Sequence, residues 1–553
     1  MKINILDCTL RDGGFANDWQ FGNAHIKGII AGLTDSAVDF VEVGYLQNIS
    51  YNSDLSLFSE VEQIANILPA DTKSTKYVAM IECGKYDTAA LDETANLWGI
   101  RIVFHAHQAD EALQACQTVK NKGYQVFLQP MGTDAYTDKT LLDLIERVNQ
   151  AQPHSFYFVD SLGVMDKTDI MRIATLIDNN LDKAITMGFH SHNNLQLAFS
   201  NAKKLIDMRL KREIYIDSSV YGMGRGAGNL NTELLANYLN AENGTAYNVD
   251  RILRVYDEHT AKTPQNWGYS LPYYLAAVHK CHPNYATFLI NRATLPITDV
   301  GLMLSSIPAA DRRVYSEELI NRLYYEYRSS QVDDSAAYAA LQAELFDEKG
   351  EKGKQGEKSQ KPVLILAPGK TLQTHKTAIS QFIVTENPVI IAINHNPTDF
   401  VANFVFYSNQ KRYAEREFRG QNKALQYILT SNIKEPNAEK SHENAVIFNY
   451  SDLCNNKGVF FDNAAAMLLA LLRRTNCTKV HCAGLDGYKT NYDYYDTALQ
   501  ILKDRETMES LNTQLGENIR SYDDILEIEF LTPSVYSDNK NPKSLTPPPP
   551  KMP

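Results

Sequence analysis

Thr186-Met187-Gly188-Phe189-His190-Ser191-His192-Asn193-Asn194 is the stretch from which the rest of this chain can be read. Thr186–His190 has the composition of a short buried strand, and polar residues follow at once. Successive strand side chains point to opposite faces, so His190 and His192, two apart, face the same way. Alone, an H-x-H pair on a strand is more often structural than metal-binding. Its meaning depends on what surrounds it.

Outward from that stretch, short β-branched runs alternate with amphipathic ones from Lys2 to about residue 240. The expected strands are Ile3–Asp7, Phe40–Val43, Lys76–Ile81, Ile102–Phe104, Gln125–Leu128, Phe156–Val159, Thr186–His190 and Glu213–Asp217. Between them Asp110–Lys122, Lys139–Val148, Lys167–Asp178 and Leu195–Ile206 repeat apolar residues three and four apart, the helical period. Eight β–α pairs point to a closed (β/α)8 TIM barrel, with an open parallel sheet as the alternative that periodicity leaves standing.

Four clusters fall at the carboxyl ends of these strands, where barrel enzymes place their chemistry. They are Leu10-Arg11-Asp12-Gly13-Gly14, Glu42-Val43-Gly44, His190–Asn194, and Gly222-Met223-Gly224-Arg225-Gly226-Ala227-Gly228-Asn229. In a closed barrel strands one, seven and eight adjoin, so Asp12 comes close to both imidazoles. Asp12, His190 and His192 then form a two-His, one-carboxylate set with open coordination positions. Such a set suits a divalent ion acting as a Lewis acid on a substrate carbonyl.

The whole chain has 553 residues, 44% hydrophobic and 22% charged, with a net charge of −12. That length implies at least two cores, and the acidity makes nucleic acid and anionic membrane poor partners. The start, MKINILDCTLRDGG, does not read as a signal peptide, and no apolar run is long enough to span a bilayer. Seven cysteines without a C-x-x-C pair read as reduced thiols of a cytoplasmic protein. The sequence admits a homo-oligomer without specifying one.

The expected organisation is a barrel over 1–245, a Tyr-rich helical extension over 246–345, a Lys/Glu/Gly-rich flexible linker over 346–361, a second α/β domain over 362–535 and a disordered tail over 536–553. In the second domain Val363–Ala367, Val389–Asn394, Phe404–Tyr407, Val446–Asn449 and Lys479–Ala483 read as strands, and Thr371–Phe382 and Asn463–Arg474 as helices. The pattern is Rossmann-like. Leu366-Ala367-Pro368-Gly369-Lys370-Thr371-Leu372 lacks the spacing of a P-loop, though Gly369 could set a phosphate at the following helix start.

The motifs LDCTLRDGG, VEVGYL, FVDSLG, GFHSHNN and DSSVYGMGRGAGNLNTELL, in that order over the first 240 residues, resemble the metal-dependent pyruvate aldolases and Claisen-type lyases. This is the HMG-CoA lyase-like family, and its 4-hydroxy-2-oxovalerate aldolase branch is the nearer one. The resemblance implies a divalent metal (Mn2+ first, Mg2+ or Zn2+ otherwise) on Asp12, His190 and His192, with Asn229 as a further ligand. It implies Arg11 as the group that stabilises an enolate and binds substrate, Ser161 and Glu42 as substrate-binding residues, and Tyr285 as a catalytic residue from the helical segment. The substrate implied is a small 2-oxo acid with its aldehyde. One position departs: the aldolases carry a catalytic histidine three residues after the metal aspartate, and here that residue is Phe15, which cannot transfer a proton. His105, His107, Tyr45 and Glu42 are the replacements considered, His105 first. A Claisen-type acyl-CoA condensing enzyme and a metal-binding scaffold without turnover remain as alternatives. The second domain is weakly similar to Rossmann-like sugar-nucleotide-using transferases, which implies a nucleotide or sugar nucleotide there.

Overall fold

A computed structural model describes the chain except for residues 1, 93–96, 349–357, 416–425, 435–443, 457–458, 490–493, 496–504, 523–524 and 538–553. Most of the expected linker and nearly all of the expected tail lie outside the described residues. Two compact units are present. The first comprises Met1–Thr287 and Pro308–Tyr315, the second Phe288–Ile307 and Ser316–Pro553.

The first unit is a closed parallel barrel of eight strands: β1 Ile3–Asp7, β2 Phe40–Leu46, β3 Lys76–Glu82, β4 Gly99–Phe104, β5 Gln125–Pro130, β6 Ser155–Asp160, β7 Thr186–Ser191 and β8 Ile214–Ser218. Strand β1 pairs in parallel with β8, Ile5 opposite Ile216, and with β2, Leu6 opposite Phe40. That second ladder closes the ring and eliminates the open sheet. Helices over Ala109–Asn121, Asp138–Ala151, Lys167–Asn180 and Ala198–Asp207 cover the outside. They bury Ile3, Ile5, Val41, Ile100, Ile102, Phe189 and Ile216 in the core between the layers. Alternate residues of the same strands point into the barrel, where Leu6, Phe40, Val78, Phe127, Tyr157 and Tyr215 form an inner cluster. By the same alternation Glu42, Arg101, His190 and Asp217 face inward near the carboxyl ends.

The second unit contains a parallel sheet of β9 Val363–Leu366, β10 Val389–Ile393, β11 Phe404–Tyr407, β12 Gln426–Thr430, β13 Ala445–Phe448, β14 Lys479–Ala483 and β15 Glu527–Phe530, in the order β13-β12-β11-β10-β9-β14-β15. The sequence reading lacked β12 and β15. At the edges of the expected linker, Phe346–Glu348 and Lys358–Gln360 pair as an antiparallel ribbon. The expected phosphate position after β9 is taken by the protein itself. The Thr371 amide donates to Asp486 Oδ2 at 2.9 Å, so a carboxylate already sits at that turn. The helix expected there breaks at His375 into Thr371–Thr374 and Lys376–Glu386. All seven cysteines are free and buried, and among the described residues no helix is long and apolar enough to cross a membrane.

Candidate metal centre

After β1 the chain turns tightly, the Cys8 carbonyl accepting the amides of Arg11 (3.1 Å) and Asp12 (2.8 Å). This swings Asp12 over the barrel mouth, where β7 delivers His190 and, one pleat further, His192. One ligand atom from each of Asp12, His190 and His192 lies within 4.8 Å of the others, and all three residues are buried. The loop after β8 brings Asn229 alongside, its backbone bridged to that of His192. Asn229 Nδ2 donates to Asp12 Oδ2 at 2.7 Å. The approach demands a bare backbone: a Cβ on Gly224 would lie 2.3 Å from Asn229 Nδ2 and 2.8 Å from Asp12 Oδ2.

The donor atoms fit a hard or borderline divalent cation. His190 Nδ1 lies 2.9 Å from Asp217 Oδ2, a contact that fixes the tautomer with the proton on Nδ1 and leaves Nε2 as the ligand atom. His192 Nδ1 and Asn229 Oδ1 are buried with no hydrogen-bond partner among the described residues. Orphaned acceptors of this kind cost free energy unless something binds them. Burial by itself would raise the Asp12 carboxyl, but Arg11, His192, His190 and the Asn229 bond outweigh it and hold Asp12 well below the ordinary carboxylate range. Burial drives His192 down to about 4 against the pull of Asp12. An ionised carboxylate beside a neutral imidazole is the protonation state a metal ligand set requires.

Beneath these ligands runs a buried chain of charge. Arg11 donates to Asp12 Oδ1 at 2.5 Å through a terminal nitrogen and to Glu42 Oε2 at 2.8 Å through Nε. Arg101, with no exposure, lies 2.8 Å from the same Glu42 oxygen and 2.5 Å from Asp217 Oδ2. Arg11 is thus clamped from two sides, and Glu42 is its clamp.

The remaining expected residues are placed less centrally. Ser161, just past β6, accepts the Gly132 amide at 2.9 Å. His105 is exposed and its ring stacks on that of His107, centroids 5.6 Å apart. Tyr45 is buried near Arg11, whose guanidinium carbon lies 5.9 Å from its ring. Tyr285 is fully buried, and its hydroxyl donates to the carbonyls of Asp311 (3.1 Å) and Val314 (2.8 Å). Phe15 is 41% exposed and packs edge-on against Trp19. The guanidinium of Arg225 lies 5.8 Å from the Phe15 ring and 2.6 Å from His282 Nε2. His282 escaped the sequence reading because it lies in the helical segment, 57 residues from Arg225. Its neighbourhood of Tyr-rich helix carries no motif.

Residues 2–258 match the family model described as HMGL-like. The barrel is similar to the 4-hydroxy-2-oxovalerate aldolase of Carboxydothermus hydrogenoformans (28% identity over 268 residues, 47% of this chain and 77% of that one). It is also similar to the oxaloacetate decarboxylase of Mycobacterium tuberculosis (24% over 279 residues, 48% and 78%). Among solved structures, the N-terminal domain of a Bacteroides vulgatus protein aligns with a TM-score of 0.47 and 25% identity, covering 54% of this chain and 98% of that one.

Proposed function

With an HMGL-like domain over residues 2–258 as the premise, we propose that the barrel is a divalent-metal-dependent lyase that makes or breaks a carbon–carbon bond beside a 2-oxo acid carbonyl. The observation that carries this reading is the convergence of Asp12, His190 and His192 with two unpaired buried acceptors, His192 Nδ1 and Asn229 Oδ1. Asp12, His190 and His192, with Asn229 as a further donor, would hold a divalent ion, which would supply Lewis acidity toward the substrate carbonyl. Arg11, fixed by Glu42 and Asp12, offers its remaining N–H donors to the carboxylate and developing oxyanion of an enolate, the charge that appears only as the bond breaks. Glu42 acts through Arg11, as a positioning residue.

The two curated relatives differ in what leaves: an aldehyde in the aldolase, carbon dioxide in the decarboxylase. Stabilising an enolate beside a 2-oxo acid carbonyl would serve either kind of cleavage, and an aldol of a 2-oxo acid is the substrate class we favour. Phe15 leaves proton transfer to another group. His282, tied to the same Arg225 guanidinium that lies 5.8 Å from the Phe15 ring, is the candidate we favour over the exposed His105–His107 pair. Phe15 also favours a second reading, a barrel that keeps metal and ligand without turnover.

Exchange of pyruvate methyl protons with solvent deuterium, followed by NMR on the metal-loaded full-length protein, tests the first reading against the second. Metal-dependent exchange is expected, lost in Asp12→Ala and reduced in His282→Asn. Absence of exchange in the wild-type protein refutes the lyase reading.

A further inference from the structure

The second unit holds a cavity that plays no part in the barrel's chemistry. Its sheet winds from β9 outward through β10, β11 and β12 to β13, then returns to place β14 on the other side of β9. The reversal opens a crevice at the carboxyl ends of β9 and β14, the position at which open α/β sheets take their ligands. A cleft of about 1200 Å³, its open mouth included, lies there. Its floor is the contact of two turns, the Gly369 amide donating to the Gly484 carbonyl at 2.8 Å.

The two ends of the cleft differ in chemistry. Beyond β10 and β11 the wall is polar and cationic, formed by Asn394, Ser408, Arg412 and Arg292. Asn409 Nδ2 ties the last of these segments in place by donating to the Ala293 carbonyl at 3.1 Å. Asn394 Oδ1 is buried without a hydrogen-bond partner among the described residues. Beyond β14 the wall is aromatic and apolar, with Tyr488 and Tyr536 against Leu511 and Leu515. Both tyrosines are fixed on one atom: the Tyr488 amide and the Tyr536 hydroxyl donate to Asn512 Oδ1 at 2.8 and 2.7 Å. Arg292, Arg412 and Lys489 face two carboxylates, Asp462 and Asp486. Asp462 is neutralised by the buried Arg328, and Asp486 is bound to the amide and hydroxyl of Thr371. Arg412 also reaches Glu415 at 3.0 Å. A pocket with two guanidinium groups at one end and ring-bearing walls at the other suits an anion with a flat, apolar end.

We propose that this cleft binds a nucleoside phosphate, its phosphate against Arg412, Arg292 and Asn394 Nδ2, a ribose hydroxyl donating to Asn394 Oδ1, and its base between Tyr488 and Tyr536. A dinucleotide such as NAD fits less well. The Asp486 carboxylate fills the turn where a pyrophosphate would lie, and Asn394 follows β10 in the region where dinucleotide folds carry a ribose-binding acid.

Isothermal titration of the full-length protein with the uridine, cytidine, adenosine and guanosine mono- and diphosphates tests this, with inorganic pyrophosphate and ribose 5-phosphate as the arms lacking a base. At least one nucleotide is expected to bind about tenfold more tightly than either arm. Arg412→Gln and the near-isosteric Asn394→Asp should each weaken it about tenfold or more at an unchanged melting temperature. Asp12→Ala, in the barrel, should leave it unchanged. No nucleotide binding at millimolar concentration, pyrophosphate binding as tightly as any nucleotide, or loss of binding in Asp12→Ala overturns the proposal. So does unchanged affinity in Asn394→Asp.

Discussion

Asp217 touches no proposed substrate, yet it sets the chemistry of His190. Its Oδ2 lies 2.9 Å from His190 Nδ1 and 2.5 Å from Arg101, and although burial opposes ionisation, Arg101 and His190 together lower its carboxyl. A carboxylate behind a ligating imidazole orients the ring and raises its basicity. Asp217→Asn keeps the volume and removes the charge, and Mn2+ affinity should fall about 10- to 100-fold while the barrel stays folded. Electron spin resonance titration of free Mn2+ measures it, and an unchanged affinity contradicts the role. At this scale the sequence was readable where one strand sufficed: the period-2 spacing placed His190 and His192 together, and the meeting of strands one, seven and eight in a closed barrel added Asp12. Arg101 and Asp217 went unread because their partnership spans β2, β4, β7 and β8, and single-strand patterns carry no cross-barrel information. A signal existed nonetheless. Each is a charge at an inward position of an otherwise apolar strand, in Gly99-Ile100-Arg101-Ile102-Val103-Phe104 and Ile214-Tyr215-Ile216-Asp217-Ser218.

Among the elements, β7 carries a tight constraint beside the metal ligands. A Cβ on Gly188 would lie 2.1 Å from the ring of Tyr157, which has no exposure and fills the barrel interior beside Phe127 and Tyr215. Gly188→Ala must therefore shift either β7, and His190 with it, or a ring with nowhere to go. Overpacking of this kind costs about 1–3 kcal/mol, which urea unfolding followed by circular dichroism would record; a change under about 0.5 kcal/mol would show that the interior can yield. Strands sandwiched between layers were legible as apolar runs, as with β9 and β10. The two that escaped explain themselves. Strand β15, Glu527-Ile528-Glu529-Phe530, is a half-exposed edge strand in which charge alternates with apolar residues. Strand β12, Gln426-Tyr427-Ile428-Leu429-Thr430, begins exposed and is buried from Ile428 onward, too short an apolar run to stand out.

Across the whole barrel, stability is coupled to pH through groups that pull in opposite directions. His154 sits before β6 between Trp98 and Phe127, its Nε2 2.8 Å from the Tyr215 hydroxyl, and burial, with Lys76 adding to it, lowers its pKa to about 4. Unfolded, it titrates near 6.5, so the folded state binds fewer protons between those values. Its contribution is complete above pH 6.5 and lost as the pH falls through 4. Asp160 and Asp7, raised by burial to about 7 and about 6, act in the reverse sense: their contribution is complete below the unfolded carboxylate value and lost as the pH rises through 7 and 6. The net curve therefore conceals each term, and a difference reveals one. From pH 7 to 4 the wild-type protein should lose on the order of 2 kcal/mol relative to His154→Gln. A difference that stays constant with pH contradicts the assignment. At this scale composition and length implied two cores, and the eight-fold β–α repeat implied the barrel. Closure itself had to come from the β1–β2 ladder, since a repeat of strands and helices is the same pattern whether the sheet is open or shut.

Joint binding of one divalent cation by Asp12, His190 and His192 can be read from calorimetric titration of the chelator-treated full-length protein with Mn2+, Mg2+ and Zn2+. One ion per chain is expected in the wild-type protein, and none at this site in the folded Asp12→Ala, His192→Ala double variant. No uptake by the wild-type protein, or equal uptake by both, contradicts it.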